Sequence, residues 1–467
     1  MSKATPLVLA GLLSACSLAP EYQRPEAPVA AAWPEDAVAG TRAPAGLDWR
    51  AYFADAQLQG LIAAALEQNR DLRIAVARVA EARALYGVAR ADRLPNVDAV
   101  ASRSEARLPA DLSATGQAMT AQRYDVNLGV TAFELDFWGR IASLTEAAKA
   151  SYLATEEAQR AFGLSLIADV ASAYFGLLEL DERTAIARET LASREESRTL
   201  IARRREVGIA GDLDYLAADG ATEAARAELA SLERQRSAAA TALTLLVGKP
   251  LNDLQVSGRK LAEQSVVTDL SAGLPSEVLT RRPDVLAAEQ RLIAANASIG
   301  AARAAFLPRI SLTAAFGTAS AALSGLFDSG SGAWSFVPVL RYPLFDAGRT
   351  AANADLAEAR KVIAVADYER TIQQAFREVA DLLAARDKLA GQLKAQEAAE
   401  KAQTERLRIV DARYKAGISS YLEVLDAQRE LFTAQQSVVA TRRAWLATAA
   451  QLYKALGGGD AVPTRAS

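Results

Sequence analysis

Histidine is absent from all 467 residues, and with it go the commonest general base and the commonest metal ligand. A hydrolytic triad or a zinc site is excluded on that ground. Cysteine occurs once, at Cys16, so no disulfide can form within the chain. A formal net charge of −3 with mixed signs, and no Lys/Arg-rich block, leaves no nucleic-acid footprint. Beyond the leader there is no run of 18 or more uncharged apolar residues. Any crossing of a bilayer therefore falls to strands rather than to a transmembrane helix.

What is present is a repeat. Arg281 to Leu312 begins a helix at Pro283, where a missing N–H costs nothing, and ends it at Pro308. Beyond Pro308, Ile310, Leu312 and Ala314 alternate with Arg309, Ser311 and Thr313, the period of a strand with one apolar and one polar face. A fainter copy lies at Arg78 to Val97: Arg291/Arg78, Gly300/Gly87 and Pro308/Pro95 share an offset of 213. Gly348-Arg349/Gly139-Arg140, Gly417-Ile418/Gly208-Ile209 and Leu456-Gly457/Val247-Gly248 share an offset of 209. One shift held over that span argues duplication of a whole structural unit.

At these residues a resemblance becomes specific. RRPDVLAAEQRLIAANASIGAARAAFLP, the paired Gly-Arg turns and the terminal LYKALGGG resemble the outer-membrane factor (TolC-like) family, in its drug-efflux lipoprotein subgroup. The resemblance covers essentially the full chain. It implies an α+β membrane protein: a transmembrane β-barrel, four strands per protomer and twelve in a homotrimer, continued by a long α-helical tunnel. It also implies partners, namely a periplasmic adaptor protein and an inner-membrane proton-driven transporter of the RND type.

In chain order, residues 1–15 read as a signal peptide ending in the lipobox Leu13-Ser14-Ala15-Cys16, with Cys16 the acylation site. The expected modification is covalent diacylglycerol plus an N-acyl chain such as palmitate, with no other cofactor and no metal; the plainer alternative is a buried structural thiol. Ser17 favours sorting to the outer membrane. Residues 16–56, rich in Pro and Ala, read as a lipid-anchored tether. Residues 57–247 form the first repeat, 248–275 a connector at the equatorial region, 276–457 the second repeat and 458–467 a tail. Each repeat predicts a helix, two strands (Asn96–Leu108 and Tyr124–Leu135; from Arg309, and Trp334–Phe345) and a long helical hairpin. The helix from Gly139 to about Val207 contains no Pro, and at ~1.5 Å per residue would run on the order of 100 Å.

Two adjacent rows on the last helix repeat every seven residues, Leu425-Phe432-Val439-Leu446-Tyr453 and Val424-Leu431-Val438-Trp445-Leu452. Such a stripe is wider than one coiled-coil seam and suits a helix with neighbours on both sides. Four strands cannot close a barrel, and open edges in lipid leave backbone groups unpaired, so copies must share one sheet. Two copies would give eight strands and a filled interior, whereas three give twelve and can leave a lumen. A soluble β-sandwich on a helical stalk is the alternative.

Two sites follow for a passive exit duct. The turns Gly208-Ile209-Ala210 and Gly417-Ile418-Ser419 are candidate docking points for the adaptor or pump, or simply places where the chain reverses. Leu422 and Asp426, four residues apart, share one helix face. In similar family members the matching Leu and Asp line the periplasmic gate. The first repeat has Leu213 but Ala217, so a three-fold ring would hold three carboxylates and favour cations, unless Asp426 merely pairs with Arg429. A duct for type I protein secretion is the competing function. An enzyme would rest on Asp212, Asp214 and Asp219 as a metal site, against their simpler role at a helix N-terminus.

Overall fold

The computed structural model describes residues 18–33, 47–251, 259–267 and 279–458. Cys16 with the rest of the signal region, much of the connector and the tail lie outside the described residues. The chain divides into two compact units, each drawn from three stretches: Met1–Glu26, Val79–Glu156 and Ala287–Tyr368 in one, Ala27–Arg78, Glu157–Leu286 and Glu369–Ser467 in the other.

The elements, in order, are α1 (Trp49–Tyr52), α2 (Ala56–Gln68), α3 (Arg70–Ala91), β1 (Val97–Leu108), β2 (Met119–Leu135), α4 (Arg140–Glu206), α5 (Asp212–Val247), α6 (Pro283–Ala304), β3 (Arg309–Ser320), β4 (Gly332–Arg341), α7 (Arg349–Lys415) and α8 (Tyr421–Ala455). The duplication is visible in the lengths: α4 and α7 both have 67 residues, and α5 and α8 have 36 and 35. The glycines of the 209 offset share a left-handed backbone, with φ of 69° and 82° at Gly139 and Gly348, 75° and 76° at Gly208 and Gly417, 80° and 86° at Gly248 and Gly457. At Gly248 the need is also steric, because a Cβ there would fall 2.7 Å from the carbonyl oxygen of Gln68.

The first unit holds one antiparallel sheet in the order β1-β2-β3-β4. Its strands have 12, 17, 12 and 10 residues, enough for tilted strands to cross a bilayer. Cross-strand register sorts the side chains by face. Ala99, Leu128, Phe316 and Trp334 form one row, and the next row, Asp98, Gly129, Ala315 and Ser335, points the other way. The apolar face carries exposed Leu128, Phe316, Trp334 and Phe336, and the opposite face carries Asp98, Asn127, Arg309 and Arg341. This is the apolar-out, polar-in alternation of a membrane barrel. A bulge between Val130 and Phe133 bends β2, with Ala132 at φ 52° and its N–H donated to Thr313 Oγ1 at 3.1 Å. The fourth strand ends at Arg341 rather than at the expected Phe345, because Arg341 already stands opposite Arg309, the first residue of its partner β3, and Pro308 before it has no N–H for a ladder.

The second unit is helical. Its core packs Leu58, Leu61 and Ile62 of α2 with Ile167, Val170 and Phe175 of α4 and with Val439, Leu446 and Tyr453 of α8. Both seven-residue rows of α8 supply buried members, among them Val424, Val438 and Leu452. Helix α4 is long and apolar enough to cross a membrane by composition, but its most apolar window is mostly buried inside the protein.

Two expectations need correction here. The stretch 16–56 is not tether throughout: Trp49, Tyr52 and Phe53 are buried in this core, and Tyr52 donates its hydroxyl to the Ala449 carbonyl at 2.7 Å. The helix expected from Gln57 to Arg93 is broken at Asn69. Its Oδ1 accepts the N–H of Leu72 at 2.8 Å, starting α3, while its Nδ2 donates to Leu246 O at 2.9 Å. Arg282 of the Arg-Arg-Pro-Asp stretch is likewise buried, bonding Asp284, Glu378 and the carbonyl of Ala455.

Candidate docking and gating site at the two helix turns

Both hairpin turns close as Schellman motifs. Gly208 N donates to Arg205 O at 3.0 Å and Ile209 N to Arg204 O at 2.8 Å; Gly417 N donates to Tyr414 O at 3.0 Å and Ile418 N to Arg413 O at 2.9 Å. In such a motif the residue after the glycine commonly packs back on the helix. Here it does not: Ile209 is 76% and Ile418 68% exposed. Val207, Leu213, Leu216 and Leu422 are exposed beside them. Ala210 is only half-buried, packing against the cluster of Ile201, Ala218, Tyr421 and Val424 that braces the turns.

One contact crosses between the repeats, from Arg204 to Tyr414, and a second braces the first turn from within its own repeat. Arg204 lies over the Tyr414 ring at 5.0 Å from its centroid and donates to its hydroxyl at 2.9 Å, and Arg205 lies over Tyr215 at 5.0 Å while pairing with Asp212 at 2.6 Å. Tyr414 and Tyr421 pack at 5.7 Å, and burial pushes the Tyr421 hydroxyl up to about 12. Helix α8 starts with a capping box: Ser420 Oγ accepts Glu423 N at 3.4 Å and Glu423 Oε1 accepts Ser420 N at 3.2 Å. Helix α5 is preceded by Gly211 at its N-cap, which offers no side-chain hydrogen bond.

Leu422 and Asp426 occupy the same face of α8 as the spacing requires, and Leu422 is 70% exposed. Asp426 is not a bare carboxylate. Its Oδ1 lies 2.6 Å from Arg429, the pairing foreseen as the alternative, and its Oδ2 lies 2.7 Å from Arg406 on α7. Arg406 was not singled out from sequence; no local spacing on α8 reveals a partner twenty residues back across a turn. The charge there is one carboxylate among two guanidinium groups, the paired arrangement given as the alternative to a cation-favouring ring. The acids of the enzyme alternative are also engaged: Asp212 by Arg205 and Asp219 by Arg198, with Asp212 and Asp214 in the first turn of α5. Among the described residues no three His, Cys, Asp or Glu side chains come together as a metal site.

The model of the outer membrane efflux protein family matches residues 61–249 and again 274–458, one match for each repeat. The chain belongs to that family. Outer membrane efflux proteins similar to it include outer membrane protein OprJ of Pseudomonas aeruginosa, 47% identical over 97% of this chain and 95% of that one. Another is the toluene efflux pump outer membrane protein TtgF of Pseudomonas putida, 46% identical over 97% and 96%. Among solved structures, the open state of the Neisseria gonorrhoeae MtrE outer membrane channel is 39% identical, covers 95% of this chain and 98% of that one, and has a TM-score of 0.87. A membrane protein from Pseudomonas aeruginosa reaches 0.89 at 47% identity, over 95% of this chain and 98% of that one. The fold is therefore that of the outer-membrane channels, strands for a barrel with helices for a tunnel, and the cell outer membrane is where this family member resides. It is a transport channel family rather than an enzyme family.

Proposed function

We propose that this protein is the passive exit duct of a tripartite efflux pump. Three copies close one twelve-stranded barrel, and drugs and other small molecules leave through it, driven by an inner-membrane proton-coupled transporter of the RND type and reached through a periplasmic adaptor. The observation that carries this reading is the sheet, apolar on one face and polar on the other, whose β1 and β4 edges lack a strand partner among the described residues. In lipid those edges would cost several kcal/mol for each unpaired group, so copies must share them. The relatives' names, which speak of efflux of toluene, solvent and antibiotics, favour small molecules over secreted proteins as cargo.

Gly208-Ile209-Ala210 and Gly417-Ile418-Ser419 are the docking turns in this proposal, supported by the exposed isoleucines, and Leu422 with Asp426 forms the gate. Cys16 carries the acyl chains. Ala19, three residues later, lies so close to Gly300 that a Cβ there would fall 2.8 Å from its backbone nitrogen. Gly300 is nine residues before β3 begins, which supports an anchor beside the helix-side end of the sheet.

The test is single-channel conductance of the purified protein in a planar bilayer, with its mass measured in detergent. A trimer that conducts is expected. A monomer, or a trimer with no conductance under any voltage, would overturn the duct.

A further inference from the structure

The polar face of the sheet carries an unbalanced group of charges at its helix-side end. Arg309 of β3 and Arg341 of β4 are direct cross-strand partners, an arrangement that like charges disfavour. Glu134 lies 3.3 Å from Arg309 but is already bound through both oxygens by Arg140 at 2.8 Å. Asp136 and Asp92 attract Arg140 more weakly, and the Asp136 carboxylate accepts the first N–H groups of α4, from Ile141 and Ala142. All three arginines line a cavity of about 240 Å³. Arg341, on an open edge, has no ion pair or side-chain hydrogen bond among the described residues. The same holds for Asp98, on the same face at the same end of the other open edge, β1.

The register of the sheet says whether the two can meet when copies share edges. Starting at Val97, the first residue of β1, the cross-strand row runs through Val130 and Ala314 to Phe336, which stands five residues before Arg341, the end of β4. The row thus climbs five residues above the helix-side ends in three steps between strands. A fourth step at the same slope gives about six or seven, and the shift must be even for the apolar face to stay outside. Six places Phe336 opposite Arg103 of the next copy. That register sets Arg341 opposite Asp98 and puts all ten residues of β4, Gly332–Arg341, against β1 residues Arg107 to Asp98. A shift of four or eight would run one end of β4 past the end of β1.

We infer that β4 of one copy pairs antiparallel with β1 of the next in this register, locked by an ion pair between Arg341 and Asp98 on the lumen face. Asp98 supplies the negative charge that Arg341 lacks within one copy, where Arg309 shares Glu134 with Arg140. The inference rests on the shared-barrel reading of the preceding section and fixes the seam within it.

The experiment uses full-length protein in a Cys16→Ser background, carrying Asp98→Cys with Arg341→Cys, purified in detergent and oxidised. Opposed residues stand about 4.5–5.5 Å apart at Cα, inside disulfide range, whereas a shift of two residues gives about 7–8 Å. A covalent trimer on a denaturing gel is expected, with about tenfold less from Val100→Cys/Arg341→Cys or Asn96→Cys/Arg341→Cys. A shifted pair that links better than the matched one overturns the register. Native mass of the unoxidised protein separates the two levels: a monomer overturns the shared barrel, and a trimer with the wrong link overturns the seam alone. Asp98→Arg and Arg341→Asp should each lower the temperature at which the trimer dissociates, and the double swap should restore at least half of the loss. No restoration overturns the ion pair.

Discussion

Arg406 of α7 and Asp426 of α8 join the two helices that meet at the Gly417 turn, with 2.7 Å between Nη2 and Oδ2. Arg429 holds the other oxygen of Asp426 from within α8 itself. Only the first contact resists separation of the helices. A half-exposed pair of this kind contributes about 0.5 kcal/mol, so three copies acting together contribute about 1.5 kcal/mol, or roughly tenfold in the ratio of closed to open. Asp426→Ala and Arg406→Ala should therefore each raise the conductance of the purified duct, measured without pump or adaptor, by up to about tenfold. Arg429→Ala should change it little. Adding Leu422→Ser to Asp426→Ala should raise leakage of large antibiotics further. Equal effects from Arg406 and Arg429 would show that local charge, not a bridge between helices, sets the conductance.

Ile209 and Ile418 give a cleaner test of docking than the residues after them. Ala210 packs against the bracing cluster, so a charged side chain there disturbs the turn as well as its surface. The isoleucines are exposed, and substitutions at such places shift stability by only about 0.5 kcal/mol. Ile209→Asp with Ile418→Asp should abolish restoration of drug resistance in a deletion strain while trimer yield and bilayer conductance stay at wild-type values. Retained resistance would leave these glycine turns as chain reversals only.

The start of α8 is sensitive to acid. The backbone hydrogen bond from Ser420 holds the Glu423 carboxyl below its ordinary range, helped by the hydroxyls of Ser419 and Ser420 and by Arg413. Because the folded value is depressed, the stabilisation is fully present above the unfolded value, about 4.3, and is lost as pH falls through the folded one. Amide exchange at Ser420–Val424 should accelerate on acidification beyond its intrinsic pH dependence in the wild type, and Glu423→Gln should lack that excess. The same excess in the variant would assign the effect to another group.

How much of this was legible beforehand depends on the range of the interaction. Strand faces, helix lengths and both glycine turns are local: alternation, absence of proline and the 209 offset carry them, and the structure returns them within a few residues. Asn69 shows where local reading stops. Its side chain caps α3 while bonding Leu246, and no helical period in the sequence marks a partner that distant. Trp49 failed for the reverse reason, since its Pro- and Ala-rich neighbours suggested a tether although its own indole needs a core. Trp49→Ala should destabilise the second unit by about 3–5 kcal/mol, read as a lower thermal midpoint, because the side chain is 1% exposed. A change below 1 kcal/mol would return the segment to the tether. Arg406 escaped for the same reason as Asn69: ion pairs across a hairpin depend on where the helices stop.

The lipid proposed on Cys16 and the strands should make separable contributions to membrane residence. A single acyl chain binds a bilayer only marginally, and even several chains anchor less firmly than a spanning structure. The sheet offers four strands of 10 to 17 residues with an apolar face, which is what crosses the hydrocarbon. Between the anchor and the fold, Asn296 Nδ2 donates to Pro20 O at 2.7 Å and Arg24 grips Glu289 through both oxygens at 2.7 and 2.8 Å, so the segment after Cys16 is fastened to α6 without any lipid. Cys16→Ser should therefore abolish incorporation of labelled fatty acid yet leave trimers that migrate as heat-modifiable bands and conduct in a bilayer. What should change is the yield of inserted trimer, since the anchor holds the chain at the membrane while the strands assemble. If the variant protein instead accumulates as soluble monomer with no heat-modifiable form, the lipid rather than the sheet determines insertion.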